Sequence, residues 1–296
     1  MNLAVIMACH NRVELTKRAI ESLEKHKPIN WVLRYFVCDD GSTDGTTKLL
    51  RSLPIEIKVI AGDGEFFWAK SMMMAMSDAL SLPDIDAYLF FNDDVELNDT
   101  NTLNEFNILS EKYPECIVVG QLFDNSTREI SYGGLIRTSR HPFRTKLHYA
   151  LSQPEFVDTF HGNFVLIPSS IVKKIGLLDG DYSHGYADFD YGFRAKEMHV
   201  RILVCPGFVG TCNLNKSANI HTFGFLVKNL FSRKGRPIRS QIKFARRFGG
   251  IEWPIYVIGG YVMPILRLVI QRYAPRIDGR GNHDEDSLNP KNKGYK

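Results

Sequence analysis

Residues 32–44 read VLRYFVCDDGSTD, an apolar run that ends in an acidic turn containing glycine. Similar runs occupy residues 3–8, 55–60 and 87–91, and each also ends in a polar or glycine-containing turn. Short continuous runs of this kind are typical of parallel strands that are buried on both faces. We therefore predict that these segments are parallel strands of one sheet.

Helical patterns lie between the predicted strands. Leu15, Ala19 and Leu23 fall on one face of a helix, and residues 46–53 and 69–82 form further helical segments that end before prolines. Strands that alternate with helices indicate an α/β fold with a doubly wound, Rossmann-like sheet. Ligands of such a sheet bind at the carboxyl ends of its strands.

Farther along the chain the apolar pieces become shorter. We predict strands at residues 116–120, 130–136 and 164–168, and helices at 169–175 and 188–199. The second half is expected to complete a mixed sheet and to build the other side of the ligand site.

Composition limits the class of protein. The chain has 296 residues, 44% hydrophobic and 24% charged, which suits one large globular domain with an appendage. Its five cysteines include no Cys-x-x-Cys spacing, so we expect reduced thiols in a cytosolic protein. The first apolar run lacks a preceding basic segment, which indicates a strand and not a signal peptide.

Positive charge is concentrated near the C-terminus. The net charge is +4, yet residues 228–247 contain eight Lys and Arg and no Asp or Glu, so the rest of the chain is net negative. Residues 253–266 carry no charge and include two prolines and two glycines. A spanning helix needs about 20 apolar residues, so this segment is too short. Two alternatives remain: a surface that lies on anionic lipid, or a helical pair that packs on the preceding domain.

These patterns divide the chain into three parts. Residues 1–227 are expected to form the α/β domain, and residues 228–275 a helical C-terminal appendage that is basic and apolar. Residues 276–296 are polar without apolar periodicity, so we expect a disordered tail.

Acidic turns follow two of the predicted strands. Asp39 and Asp40 come after the run at 32–37, and Asp93 and Asp94 follow the run at 87–91. Adjacent carboxylates repel each other unless a cation lies nearby, and Mg²⁺ or Mn²⁺ on a diphosphate takes oxygen ligands with few protein contacts. This argument predicts a divalent metal at Asp94.

Several motifs, in this order along the chain, carry a family resemblance. They are the first strand with His10-Asn11-Arg12, then Asp39-Asp40-Gly41-Ser42-Thr43-Asp44, Gly62-Asp63-Gly64, Asn92-Asp93-Asp94 and Ala187-Asp188-Phe189-Asp190. Each motif alone is weakly specific, but their order and positions resemble family 2 glycosyltransferases of the GT-A fold over residues 3–203. Residues 62–70, GDGEFFWAK, look like the version in bacterial enzymes that build surface polysaccharides, some of them rhamnosyltransferases.

The resemblance implies a UDP- or dTDP-sugar donor and a divalent metal, Mn²⁺ or Mg²⁺. The implied nucleotide-sugar site comprises Ala8, His10, Arg12, Asp39, Gly62, Asp63, Trp68, Lys70, Asp93 and Asn163. Asp94 would bind the metal, with His221 as a second candidate ligand.

Structural alternatives stay open for four of these residues. Trp68 fits a core cluster as well as a stacking surface, and Lys70 fits a solvated lysine. Asn163 fits a structural turn, and His221 fits a partly buried, hydrogen-bonded histidine.

Asp188 is the candidate catalytic base. In the family the matching aspartate deprotonates the acceptor hydroxyl, and inverting transfer needs a carboxylate opposite the leaving diphosphate. The alternative for Asp188 is a helix cap. Asp190 and Arg194 form an i,i+4 pair that fits either an acceptor contact or support of the helix. The sequence departs from the family at Ala187, where glutamate is usual, and this departure weakens an acceptor contact and not the base.

The sequence therefore predicts an inverting glycosyltransferase with a saccharide acceptor that is lipid-linked, working peripherally on the cytoplasmic face of a bacterial membrane. A sugar-phosphate nucleotidyltransferase would need a glycine-rich basic loop after its first strand, and residues 8–12 contain no glycine. A non-enzymatic protein that binds nucleotides or nucleic acid would leave Asp39, Asp94 and Asp188 as coincidence. We accordingly expect no nucleic-acid partner.

Overall fold

A computed structural model describes residues 1–183, 185–214 and 237–273. Its first part alternates strands and helices, as predicted. The elements are β1 (Asn2–Cys9), α1 (Val13–His26), β2 (Val32–Asp39), α2 (Thr46–Ser52), β3 (Ile57–Ala61), α3 (Phe67–Ala79) and β4 (Ala87–Phe91).

The second part contains several short strands, as predicted, together with two long ones, and the predicted strand at residues 130–136 forms two separate strands. Its elements are β5 (Glu96–Leu97), α4 (Thr100–Lys112), β6 (Cys116–Phe123), β7 (Ile130–Tyr132), β8 (Gly134–Arg137), β9 (Thr145–His148), β10 (Glu155–Val157), β11 (Thr159–Phe160), β12 (Phe164–Pro168), α5 (Ser169–Ile175), α6 (Ala187–Glu197) and β13 (Arg201–Thr211). The helices α7 (Ile238–Phe248) and α8 (Trp253–Tyr273) follow, joined by a short 3-10 turn.

One ten-stranded sheet forms the centre of the domain, with its main path in the order β10-β13-β6-β12-β4-β1-β2-β3. The strands β3, β2, β1 and β4 are parallel neighbours. The strand β12 is antiparallel to both β4 and β6. The sheet is therefore mixed, and a separate sheet of β11, β8 and β9 lies beside it.

Both faces of the central sheet are buried, which explains why the strand sequences do not alternate with polar residues. In β1, Ala4 and Ile6 pack into the cluster that includes the apolar face of α3. Leu3, Val5 and Met7 pack on the opposite side, with the apolar faces of α1 and α4. This two-sided burial fixes the register of the central strands, and with it the positions of the turns that follow them.

The helix α7, which is part of the basic segment, packs on the α/β domain of the same chain. Phe244 and Phe248 are buried, and the ring of Phe244 stacks on Tyr186 with centroids 5.0 Å apart. Lys243 Nζ lies 2.7 Å from Asp179 Oδ1 and 2.8 Å from Asp181 Oδ2. For α7 the packing alternative is the one observed. The predicted domain boundary at residues 227 and 228, and the predicted tail at 276–296, lie outside the described residues.

The helix α8 is continuous through the two prolines and two glycines of residues 253–266. Pro254 is its second residue, where the helix needs no backbone N–H. Val257 is buried against the domain, whereas Ile255, Ile258 and Ile270 are exposed. Within the described ranges, no helix is long and apolar enough to cross a membrane.

We expect Phe244→Ala to lower the free energy of unfolding by about 3–5 kcal/mol, because it empties a fully buried aromatic site. Chemical denaturation followed by circular dichroism measures this change. Ile255→Ala, an exposed position on the next helix, is the control and should change stability by less than about 0.5 kcal/mol. Equal effects of the two substitutions would contradict the docking of α7 on the domain.

Candidate active site

The turns that follow β1 and β2 are tied together by hydrogen bonds. His10 Nδ1 donates to the carbonyl oxygen of Asp40 at 2.5 Å. The Asn11 amide oxygen accepts from the Thr43 backbone N–H at 2.7 Å, and the Asn11 N–H donates to Ser42 Oγ at 2.8 Å. Strand register brings the carboxyl ends of β1, β2 and β3 to the same edge. The predicted residues Ala8, His10, Asp39, Gly62 and Asp63 are thereby brought together.

Asp40 fixes the start of the glycine-containing segment at residues 62–70, a role that sequence analysis missed. Its Oδ1 accepts from the Gly64 N–H at 2.8 Å and the Phe66 N–H at 3.2 Å, and its Oδ2 accepts from the Phe67 N–H at 2.9 Å. A Cβ at Gly62 would lie 2.5 Å from Asp40 Oδ1, so only glycine fits there. The sequence showed the adjacent carboxylates of Asp39 and Asp40, but it did not show which of them binds the segment at residues 62–70.

Asp39 and Asp63 differ in the solvent exposure of their side chains. Asp39 is buried, accepts from the Ser42 N–H at 3.0 Å and also accepts from the Thr47 hydroxyl. Asp63 is exposed and accepts from the Glu65 N–H at 2.9 Å. Asp39 therefore shapes its own turn, whereas Asp63 presents its carboxylate at the open edge.

Arg12 supplies the cation that the Asp93–Asp94 pair requires. Its Nη1 lies 3.1 Å from Asp93 Oδ1 and 3.1 Å from Asp94 Oδ2, so one nitrogen bridges both carboxylates. Burial, and next the charge of Asp94, raise the pKa of Asp93 to about 7. The turn after β4 therefore holds two carboxylates and one guanidinium in direct contact.

Cys212 is a second residue that sequence analysis missed. Its thiol donates to Asp94 Oδ1 at 3.3 Å and accepts from the Asn163 side-chain amide at 3.6 Å. Burial raises the pKa of this thiol well above its usual range, so it stays a neutral donor. The Asn163 carbonyl also accepts from the Asn92 N–H at 3.0 Å. Asn163 thus supports the acidic turn, and a lone cysteine gave no signal for this contact in the sequence.

The donor set around Asp94 suits a metal that is held mainly by a diphosphate. Among the residues that the structure describes, no group of three or more His, Cys, Asp and Glu side chains could hold a metal alone. Asp94 offers carboxylate oxygens beside a cavity of about 340 Å³, which Arg12 and Cys212 also line. A diphosphate-bound Mg²⁺ or Mn²⁺ needs few protein ligands, so this set fits. His221 lies outside the described residues.

Asp188 lies in the first turn of α6, facing the turn that carries Asn163. Its Oδ2 accepts from the Gly162 N–H at 3.1 Å, and its Oδ1 accepts from the Phe189 N–H at 2.9 Å. Burial raises its pKa to about 6. The N-cap position of α6 is Tyr186, and Asp188 binds one of the N–H groups of the first turn, that of Phe189. Asp188 is a carboxylate oriented by backbone donors, with the elevated basicity that proton transfer requires.

Trp68 connects the acidic turn with the Gly162 turn. Its indole N–H donates to the Asn92 side-chain oxygen at 2.9 Å. A Cβ at Gly162 would lie 2.7 Å from the Trp68 ring, so the two are in close contact. This packing favours the core-cluster alternative for Trp68. Lys70 is not simply solvated, because its Nζ lies 3.7 Å from the centroid of the Phe66 ring.

Asp190 and Arg194 support α6 from the inside. The Asp190 side chain is 0% exposed, so it is out of reach of an acceptor. It accepts from Arg194 Nε at 2.7 Å, Arg247 Nη1 at 3.0 Å and Tyr182 Oη at 3.1 Å. Of the two alternatives for this pair, support of the helix is the one observed, and Arg247 from α7 contributes to it.

Comparisons with known proteins agree with this arrangement. Residues 4–176 match the family model described as Glycosyl transferase family 2. No curated protein matches the chain significantly.

Solved structures with a similar fold include a glycosyltransferase. A mannosyltransferase from Pyrobaculum calidifontis in complex with GDP-Man and Mn²⁺ is 15% identical, with a TM-score of 0.55 over 92% of this chain and 74% of that chain. TarS 1-349 of S. aureus in complex with UDP-GlcNAc is 13% identical, with a TM-score of 0.55 over 88% and 72% of the two chains. At these identities the likeness establishes the fold.

We expect Asp40→Ala to lower the free energy of unfolding by on the order of 3 kcal/mol, because three backbone N–H groups lose a charged acceptor. Urea denaturation measures the change. Asp63→Ala, in the same segment but exposed, is the matched control and should cost less than about 1 kcal/mol. A mild effect of Asp40→Ala would mean that the segment is held by other contacts.

Proposed function

The chain belongs to glycosyl transferase family 2 and has the GT-A fold, and we propose that it is an inverting enzyme that transfers a sugar from a nucleoside diphosphate to a saccharide acceptor. The observation that carries the proposal is the link between Asp188 and the acidic turn. Gly162 N–H binds the Asp188 carboxylate, and the next residue, Asn163, contacts both Asn92 and Cys212. A base and a candidate metal-binding carboxylate are thus connected through one turn.

The donor we propose is a UDP- or dTDP-sugar. Its base and ribose would lie at the edge formed by Ala8, His10 and Asp39, with Asp93 near the ribose. Its diphosphate would lie beside Asp94. Support comes from similar structures, since those named above were solved with UDP-GlcNAc and with GDP-Man and Mn²⁺. A bound Mg²⁺ or Mn²⁺ would offset the negative charge that develops on the leaving diphosphate, with Asp94 as its protein ligand.

Asp188 is the base in this mechanism. The acceptor hydroxyl oxygen bonds to the anomeric carbon while the bond from that carbon to the diphosphate oxygen breaks, and the hydroxyl proton passes to Asp188. Attack on the face opposite the leaving group inverts the configuration. The N–H groups of Gly162 and Phe189 hold the carboxylate in place. Position 187, where the family commonly has a glutamate, is a buried alanine in this chain. The chain therefore has no acidic side chain at this position.

Family membership also separates transfer from the rival functions. A sugar-phosphate nucleotidyltransferase and a nucleic-acid binding protein are both disfavoured by the match, which covers residues 4–176 and with them the turns up to Asn163. The basic helix α7, which suggested an anionic partner, directs Lys243 and Arg247 to aspartates of this chain.

The acceptor we propose is a lipid-linked saccharide in the synthesis of a bacterial surface polysaccharide, with the enzyme peripheral on the cytoplasmic face of the membrane. Exposed apolar residues recur every three or four positions along α8, so they lie on one face of the helix: Ile255, Ile258, Val262, Leu266 and Ile270. An apolar helix face of this kind can lie in the interfacial region of a bilayer.

A basic hairpin lies beside this apolar face. His141, in the β8–β9 hairpin, packs on Tyr256 of α8 with ring centroids 4.3 Å apart. The hairpin exposes Arg140, Arg144 and Lys146, and residues 130–154 contain no Asp or Glu. Apolar and cationic groups side by side match the two components of an anionic membrane surface.

We expect Ile258→Asp to reduce co-sedimentation of the full-length chain with phosphatidylglycerol-containing vesicles at least several-fold, because a charge replaces an apolar group at the lipid contact. Ile108→Asp is the matched control: Ile108 is 61% and Ile258 60% exposed, but Ile108 lies on α4. Binding should also weaken with salt, since the Debye length shrinks to about 3 Å at 1 M. Absence of vesicle binding, or equal loss in both variants, would refute the membrane surface.

We expect Asp188→Asn to leave the affinity for metal and sugar nucleotide nearly unchanged while transfer falls by a factor on the order of 10² or more, because the amide cannot take the acceptor's proton. Single-turnover transfer and donor titration on the same preparations separate the two effects. Because the pKa of Asp188 is raised to about 6, the wild-type rate should fall as the pH drops below about 6.

Asp181→Asn, an exposed aspartate paired with Lys243, serves as the control for that experiment. Wild-type transfer by Asp188→Asn would show that another group is the base.

A further inference from the structure

We propose that Arg12 is a built-in cation of the Asp93–Asp94 pair: it opposes the binding of a divalent metal alone, and it moves to the donor's diphosphate when metal and donor bind together. This inference rests on the proposed function for its second half. Its first half concerns only Arg12, the two carboxylates and a metal ion.

Both oxygens of the Asp94 carboxylate already have a protein partner. Oδ2 contacts Arg12 Nη1 at 3.1 Å, and Oδ1 accepts from the Cys212 thiol at 3.3 Å. A metal that binds an Asp94 oxygen must therefore share that oxygen with Arg12 or Cys212, or displace one of them.

Arg12 is the partner that can leave. Its side chain is 39% exposed, and it borders the cavity of about 340 Å³. Cys212 is 2% exposed, and its backbone N–H is anchored to the Phe123 carbonyl at 3.0 Å. The geometry leaves the cysteine in place and frees one Asp94 oxygen when the arginine moves.

Charge decides when Arg12 moves. A divalent ion that arrives alone would lie next to the guanidinium and compete with it for the same carboxylates, and this repulsion weakens binding. A metal that arrives with a nucleoside diphosphate brings phosphate oxygens, for which a guanidinium is a strong bidentate partner. Arg12 can then exchange a carboxylate contact for a phosphate contact. The guanidinium and the metal ion are then both paired with phosphate oxygens, which offsets their mutual repulsion.

If Arg12 exchanges partners in this way, one substitution should raise the affinity for Mn²⁺ alone and lower the affinity for the nucleotide. In the absence of nucleotide, Arg12→Gln should bind Mn²⁺ more tightly than wild type, on the order of tenfold, since a competing cation is gone. In the presence of saturating Mn²⁺, Arg12→Gln should bind UDP and dTDP more weakly, by about tenfold or more, since a phosphate contact is lost. A residue that only stabilises the turn would not move the two affinities in opposite directions.

The Mn²⁺ measurement uses electron paramagnetic resonance of free Mn²⁺ in titrations of the full-length chain. Arg18→Gln is the matched control, because Arg18 lines the same cavity but pairs with Glu96 at 3.2 Å, and it should leave Mn²⁺ affinity unchanged. Asp94→Ala should lose Mn²⁺ binding in either background. Thermal melting checks that Arg12→Gln is folded, and Mn²⁺ should raise its melting temperature more than that of wild type.

The outcomes separate this inference from the proposed function. Equal or weaker Mn²⁺ affinity in folded Arg12→Gln overturns the role of Arg12 as a competing cation. Equal UDP and dTDP affinity in the two proteins overturns the move to the diphosphate. If neither nucleotide binds wild type with any metal, the proposed donor class fails, while the Mn²⁺ titration without nucleotide still decides the first half.

Discussion

Compensation of negative charge at one edge of the sheet is the constraint on which the site depends. Parallel strands end at the same edge, so the aspartates that follow β2 and β4 are brought close together by the fold. The negative charge of each aspartate pair, Asp39–Asp40 and Asp93–Asp94, is offset by different partners. Asp40 binds backbone N–H groups of the next loop, whereas Asp93 and Asp94 share the guanidinium of Arg12. The first arrangement makes a rigid loop, and the second leaves a cation that can be exchanged.

The strands, the alternating helices and the positions of the acidic turns could all be predicted from the sequence. Those features depend on local periodicity and on residues that are adjacent in the chain. The structure adds contacts that depend on tertiary packing. Cys212 reaches Asp94 across a separation of 118 residues, and a single cysteine within an apolar stretch carries no pattern that indicates its partner. Asp40 was visible as part of a motif, but its contacts depend on the path of the loop at residues 62–70.

The basic segment illustrates why composition alone leaves the partner open. A run of Lys and Arg without acidic residues indicates an anionic partner. For two cations of α7, that partner is a set of aspartates in the same chain. Lys243 and Arg247 contact Asp179 and Asp190, while Phe244 packs into the core cluster of the domain. The apolar residues of the same helix determined its orientation, and the orientation determined which charges are internal. The exposed cations on the β8–β9 hairpin were distributed too thinly along the sequence to stand out.

The contact between Arg247 and Asp190 bears on how the protein is made. A ribosome releases the chain from the N-terminus, and the sheet and α6 are complete in sequence before α7 emerges. Until then the buried carboxylate of Asp190 lacks one of its two arginines, and the aromatic residues that receive Phe244 remain uncovered. The helix that carries Asp188 therefore gains its full set of neighbours only after α7 has been synthesised. Growing chains would acquire the proposed activity only after α7 has emerged, and a polypeptide that stops before α7 would expose an apolar, acidic patch to chaperones and proteases.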